Sequence, residues 1–164
     1  MPGMTEQQIH GPDLTSSNRA KQILLNDHAA VERLLAQLST VVAGDDPSGV
    51  CELWTRFERF MRAHLEFEEQ RLFPLIPLAH LEELDGLRAE HQRIRCALGE
   101  LGIAADLHTL RKASVDELIG YLQQHAAREE RSFYGWLDDQ ATARHGLRAL
   151  FDRHTENAPW PLDE

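Results

Sequence analysis

The chain has 164 residues, of which 42% are hydrophobic and 27% charged, and its formal net charge is −10. That length supports one domain with its own core, and the acidic surplus repels nucleic acid and anionic membrane surfaces, so neither is expected as a partner. No apolar run approaches bilayer-spanning length, and the opening MPGMTEQQIH lacks the basic and apolar regions of a signal peptide, so a cytoplasmic location is expected.

Residues 1–17 are polar and carry Pro2, Gly3, Gly11 and Pro12, the composition of a flexible N-terminal arm. Ser16 or Ser17 can cap a first helix. In that helix Leu24, His28, Val31, Leu35, Leu38 and Val42 follow at steps of 4, 3, 4, 3 and 4, an apolar seam on one face. The turn cluster GDDPSG ends it. A second helix is expected from about Val50 to Phe73, where Pro74 and Pro77 break it; its seam is Trp54, Phe57, Met61, His64, Glu68 and Leu72. A third, from about Leu81 to Ala105, has the seam Leu84, Leu87, His91, Ile94, Leu98 and Leu101. The fourth starts near Arg111, or at a capping box formed by Ser114 and Glu117, and ends near Asp138. Its seam is Leu118, Leu122, His125, Glu129, Phe133 and Trp136. A short amphipathic fifth helix is expected over 141–154, followed by an irregular tail.

Four long helices with short connections and no strand-like alternation predict an all-α fold, an antiparallel up-down four-helix bundle. The bundle spans 18–139, between the arm of 1–17 and the helix and tail of 140–164. The two hairpins look like a quasi-repeat: His28 to His64 is 36 positions and His91 to His125 is 34. An acidic residue precedes the first histidine of each half, Asp27 and then Glu90, and HLEFEEQRLF aligns with HAAREERSFY. Cys51 and Cys96 form no C-x-x-C pair and are expected to be inert buried thiols.

The seams carry six groups that do not belong in an apolar core: His28, His64, Glu68, His91, His125 and Glu129. Their level along the bundle can be computed. His28 is 14 steps before Val42 and His64 is 14 steps after Val50, so each lies ~21 Å from helix ends that a short turn joins. His91 is 14 steps before Ala105, and His125 is 14 steps after Arg111. Glu68 and Glu129 follow one turn later on the same faces. Four imidazoles and two carboxylates are therefore expected in one cross-section. Burying two uncompensated carboxylates would consume much of the ~5–15 kcal/mol that a fold has to spare. Cations remove the difficulty: imidazole and carboxylate suit Fe, Mn, Zn or Ni. Six side chains exceed the needs of one tetrahedral zinc, and two metals bridged by Glu68 and Glu129 would use them all. Glu32, four residues after His28, lies beside the seam and is expected in solvent.

A lone His, then HxxxE, then a lone His, then HxxxE resembles the hemerythrin-like family, the HHE cation-binding domain. Here the pattern is His28, His64 with Glu68, His91, and His125 with Glu129, and the match covers about residues 19–139. The resemblance implies a non-haem di-iron centre with carboxylate and oxo or hydroxo bridges. It also implies a small ligand such as O₂, another diatomic or an anion. Family functions include O₂ binding, O₂ or redox sensing, iron homeostasis and protection from oxidants or nitric oxide. Two departures stand out. Oxygen carriers have a further histidine four residues after the one on helix three, where this chain has Arg95. They also use a carboxylate five residues after the helix-four histidine, which would be Glu130. Position five points ~140° away from His125 against ~40° for position four, so Glu129 is the expected ligand.

Other classes fit less well. None of the nine histidines has Glu three residues before it, which argues against the Glu-x-x-His pattern of ferritin-like bundles. A phosphotransfer bundle needs one exposed histidine, whereas four lie on seams. A signalling or interaction bundle with a degenerate or single-metal site is the alternative. His10, His80, His108, His145 and His154 lie off the seams and are expected to face solvent, with an outer role at the site as the alternative for His80 and His108, and the segment 141–154 leaves a homodimer open. No organic substrate is implied, and a metal-binding or sensor protein is expected in preference to a substrate-specific enzyme.

Overall fold

The computed structural model describes residues 15–44, 47–132 and 134–136, with side chains described for these from Leu24 onward except at Pro47. The main elements are α1 (Thr15–Val42), α2 (Pro47–Phe67), α3 (Leu81–Asp106) and α4 (Lys112–Arg131). Between α2 and α3 lie a π-helical turn, Glu68–Leu72, and two 3₁₀ turns, Phe73–Leu75 and Leu78–His80. No strand occurs among the described residues, and 134–136 form one more helical turn. No described helix is long and apolar enough to cross a membrane.

Each helix packs on two others: α1 against α2 and α4, and α3 against α2 and α4. The seams explain this. Leu24, Val31, Leu35 and Leu38 of α1, Trp54, Phe57 and Met61 of α2, Leu84, Leu87, Ile94 and Leu98 of α3, and Leu118 and Leu122 of α4 are all buried. Burying such a side chain contributes about 1.5–3 kcal/mol. The core forms two apolar clusters. The larger contains Leu35, Phe57, Leu65, Ile94, Leu98 and Leu118; the smaller contains Leu24, Leu72, Phe73, Leu84, Leu87 and Tyr134. Along α1 and α3 the smaller cluster comes first, whereas along α2 and α4 the larger does. On every helix the histidine falls between them.

Several boundaries differ from those expected. α1 already includes Thr15, so Ser16 and Ser17 lie inside it and not before it. The α-helical part of α2 stops at Phe67, because the backbone N–H of Phe73 reaches back five residues to the Glu68 carbonyl. Pro74 has no N–H to continue the ladder, and a π turn is one way a helix absorbs that loss. α4 begins at Lys112, with Arg111 as its N-cap in extended backbone and no capping side chain. Ser114 is therefore inside the helix, where its N–H bonds the Arg111 carbonyl. α4 ends at Arg131, short of Asp138; Ser132 Oγ donates to the Arg128 carbonyl at 2.9 Å and competes for the end of the ladder. Cys96 is exposed and Cys51 half-buried, so neither is the buried thiol expected. Of the expected arm, 1–17, residues 15–17 are helical and belong to α1, while 1–14, the expected fifth helix (141–154) and the Phe133 side chain lie outside the described residues.

Candidate metal centre

The level argument places six groups together, and the folded chain brings them together. His28, His64, Glu68 and Glu129 form one group; Glu68, His91, His125 and Glu129 form a second. Within each group, one ligand-type atom from every residue lies within 4.8 Å of the others. Glu68 and Glu129 belong to both. Glu129 Oε1 is 3.1 Å from His125 Nε2 and 3.6 Å from His91 Nε2, while its Oε2 is 3.3 Å from His28 Nε2. Glu68 Oε1 is 3.5 Å from His64 Nε2, and its Oε2 is 3.5 Å from His91 Nε2.

These contacts are close but poorly aimed. The Nε2 atoms of His64, His91 and His125 and all four oxygens of Glu68 and Glu129 are buried without a hydrogen bond of proper geometry. Both glutamates are 0% exposed. Orphaned buried polar atoms cost roughly 1–3 kcal/mol each, more when charged. Seven in one place, drawn from two overlapping groups whose atoms lie within 4.8 Å of one another, fit cations that accept their lone pairs. Glu130, one residue on, is exposed, and Glu32 is exposed as expected.

Electrostatics without a cation show the same strain. Burial and the neighbouring Glu129 charge push the Glu68 carboxyl well above the usual carboxylate range. Burial also opposes charge on Glu129, but the imidazoles of His125, His28 and His91 outweigh it and hold Glu129 well below that range. Burial lowers His64 and His125, yet nearby carboxylates more than compensate and both imidazoles sit above their usual value.

A second set of residues surrounds the six. His91 Nδ1 lies 2.9 Å from Glu69 Oε1, His125 Nδ1 lies 2.8 Å from Glu90 Oε2, and His64 Nδ1 lies 3.5 Å from Asp27 Oδ2. A carboxylate can only accept, so Glu69 and Glu90 put the proton on Nδ1 of His91 and His125 and leave each Nε2 lone pair facing inward, whereas the Asp27 contact lacks hydrogen-bond geometry. His28 is served differently: the Tyr134 hydroxyl is 3.3 Å from Nδ1 and 3.2 Å from Nε2. The four contacts make a directed ring. α1 holds a histidine of α2, the turn after α2 holds one of α3, α3 holds one of α4, and the residue just past α4 meets one of α1.

Arginines fix two of these carboxylates. Arg95 donates to Glu69 Oε1 at 2.9 Å, and Arg128 donates to Glu83 at 2.7 Å and to Glu90. Arg95 therefore touches neither Glu68 nor Glu129. Gly86 lets Arg128 lie across α3, since a Cβ there would collide with the guanidinium. Despite partial burial, these hydrogen bonds hold Glu69 and Glu90 below the usual carboxylate range.

The sequence reading singled out Asp27 and Glu90 only as repeat markers, and it passed over Glu69 and Tyr134. An acid adjacent in sequence to a seam histidine or glutamate was the available signal for three of them. His80 stacks on Trp136 with ring centroids 4.1 Å apart, and His108 Nδ1 is 3.7 Å from Cys51 Sγ; neither joins the two groups.

The family model of the hemerythrin HHE cation binding domain matches residues 19–113 and, in a second overlapping match, 83–157. No curated protein and no solved structure matches the chain.

Proposed function

Because the chain belongs to the hemerythrin HHE cation-binding family, we propose that its helices form an antiparallel up-down bundle around a cage for two transition-metal ions. The alternating order of the two apolar clusters along successive helices supports that arrangement. His28 and His64 would hold one ion, His91 and His125 the other, and Glu68 and Glu129 would bridge them. The observation that carries this reading is the set of buried, orphaned nitrogen and oxygen atoms shared between two overlapping groups. Iron is the favoured metal on the family's precedent, and the donor set also accepts Mn, Zn or Ni.

Bound iron would supply redox chemistry toward O₂, nitric oxide or a small anion. The chain's own residues do the rest. Leu24, Leu72, Phe73, Leu84 and Leu87 on one side and Leu65, Ile94 and Leu122 on the other exclude bulk water. Glu69 and Glu90 fix the tautomers of His91 and His125. Arg95 replaces the carriers' additional histidine, and its side chain is committed to Glu69. A guanidinium offers no lone pair, so Arg95 would not act as a metal donor. We therefore assign the protein to O₂, redox or nitric oxide sensing, detoxification or iron handling, in preference to oxygen carriage. Elemental analysis of the full chain from iron-replete cells tests the cage, with about two equivalents expected from the six ligands. Less than half an equivalent, unrestored by reconstitution, would leave the alternative of a signalling or interaction bundle with a degenerate site.

A further inference from the structure

The ring of outer partners is uneven, and the unevenness follows the two halves of the cage. On the α3–α4 half, both histidines face carboxylates at hydrogen-bond distance, Glu69 at 2.9 Å and Glu90 at 2.8 Å. Each of those carboxylates is itself gripped by an arginine, Arg95 or Arg128. The side chains of His91 and His125 are 0% and 2% exposed. On the α1–α2 half, Asp27 stands off His64 Nδ1 at 3.5 Å. His28 meets the Tyr134 phenol, and the carboxylate recorded against its ring is the shared Glu129, 3.3 Å from Nε2, with none recorded at Nδ1 among the described residues. Its side chain keeps 13% exposure, the most of the four.

An imidazole whose Nδ1–H is held by a carboxylate is a stronger and better-aimed donor through Nε2, and loss of such a partner costs typically 10–100-fold in metal affinity. A phenol is neutral and gives no comparable increase in basicity. Its hydroxyl, nearly equidistant from both ring nitrogens, also does not fix which of them carries the proton.

We propose that Glu69 and Glu90, pinned by Arg95 and Arg128, make the His91–His125 half the retentive metal position, and that the His28–His64 half is the position that exchanges its metal. Tyr134 lies at the edge of that second half, its hydroxyl 3.2 Å from His28 Nε2. The inference rests on the two-metal reading above. Glu69 and Glu90 are positioning residues in it: they act through the histidines and touch no metal.

The test loads the full-length apoprotein with cobalt(II) and challenges it with graded EDTA, counting the metal retained and following cobalt absorption. The wild type should release one equivalent well before the other. His28→Ala should keep the resistant equivalent with its midpoint unchanged. Glu69→Gln and Glu90→Gln should each move the resistant midpoint toward the labile one by about 10–100-fold, with helical circular dichroism preserved. Glu90→Asp, which keeps the charge, should recover part of the loss. Simultaneous release of both equivalents from the wild type would sink the proposal. So would loss of the resistant equivalent in His28→Ala, or unchanged midpoints in both glutamine variants. Uptake of fewer than two equivalents by the wild type is a separate result: it overturns the two-metal reading itself, and the proposal with it.

Discussion

Glu69 directly follows Glu68 in the chain, yet it serves a different helix: its Oε1 lies 2.9 Å from His91 Nδ1. The π turn that begins at Glu68 makes this division of labour possible. Glu68 points into the cage, fully buried, while Glu69 is partly exposed and reaches across to α3 and Arg95. Such turns recur at functional sites, and here one supplies two adjacent carboxylates with two tasks.

Burial separates Glu129 from Glu130, and metal content should do the same. Glu129→Gln removes a carboxylate shared by both groups and should reduce bound metal to one equivalent or less. Glu130→Gln alters an exposed side chain and should leave the metal count within error of wild type. Equal losses in the two variants would show that position 129 is not special.

Chelation should destabilise the protein. Metal that binds only the folded chain stabilises it by mass action, about 2.7 kcal/mol at a hundredfold excess over Kd. For a chain of this size that corresponds to a Tm lower by about 5–10 °C in the metal-free form. In Glu68→Ala most of that difference should vanish. Calorimetry of the four samples checks this, and coincident melting of metal-free and loaded wild type would contradict a shared buried site.

The pH dependence has a definite sign. In the metal-free fold, Glu68 is raised by burial and by Glu129, and His64 and His125 are raised because carboxylates outweigh burial. Groups raised on folding contribute stability that is complete below their unfolded values and is lost as pH climbs through the folded ones. The depressed groups, Glu69, Glu90 and Glu129, lose their contribution only in acid, below the ordinary carboxylate range of about 4. The metal-free Tm should therefore fall as pH rises from about 6 to 8, across the imidazole range. Metal binding must displace those protons, so it strengthens over the same interval. The gap in Tm between loaded and metal-free protein should widen toward alkaline pH; a gap that narrows would contradict the assignment of these groups.

Arg95 bears on reactivity. Its side chain is tied to Glu69, so on the two-metal reading proposed above it would offer no donor to a metal. The iron(II)-loaded protein should oxidise rapidly in air, and degassing should not restore the reduced spectrum. Stopped-flow absorption followed by degassing decides it; a spectrum that returns to the reduced form would restore the carrier reading.

The six inward groups were legible because each pair repeats at helical spacing on its own seam. A three-and-four pattern that runs through Met61, His64, Glu68 and Leu72 marks one face without reference to any other helix. Glu69, Glu90 and Asp27 were not legible as partners, because each serves a histidine on the next helix, and helix-to-helix rotation is not written in the period. Leu65 shows a related limit. It lies beside His64 and off the drawn seam, yet it is 0% exposed, because α2 is enclosed on more than one face. The π turn escaped as well: Pro74 signals an ending, but not whether the helix stops or widens first. Tyr134 follows the break at Ser132, where the extrapolated seam of α4 no longer holds.

The ring of outer contacts also has an order in time. Its first three links join segments 37, 22 and 35 residues apart, Asp27 to His64, Glu69 to His91 and Glu90 to His125. The last, Tyr134 to His28, closes across 106 residues. Closing that longer loop costs about 1 kcal/mol more chain entropy than the others. Pulse-labelled hydrogen exchange during refolding should find α3 and the start of α4 protected before the pairing of α1 with the end of α4. A chain emerging during synthesis would thus make the three short links in turn, and leave His28 without its phenol until the segment after α4 has been made.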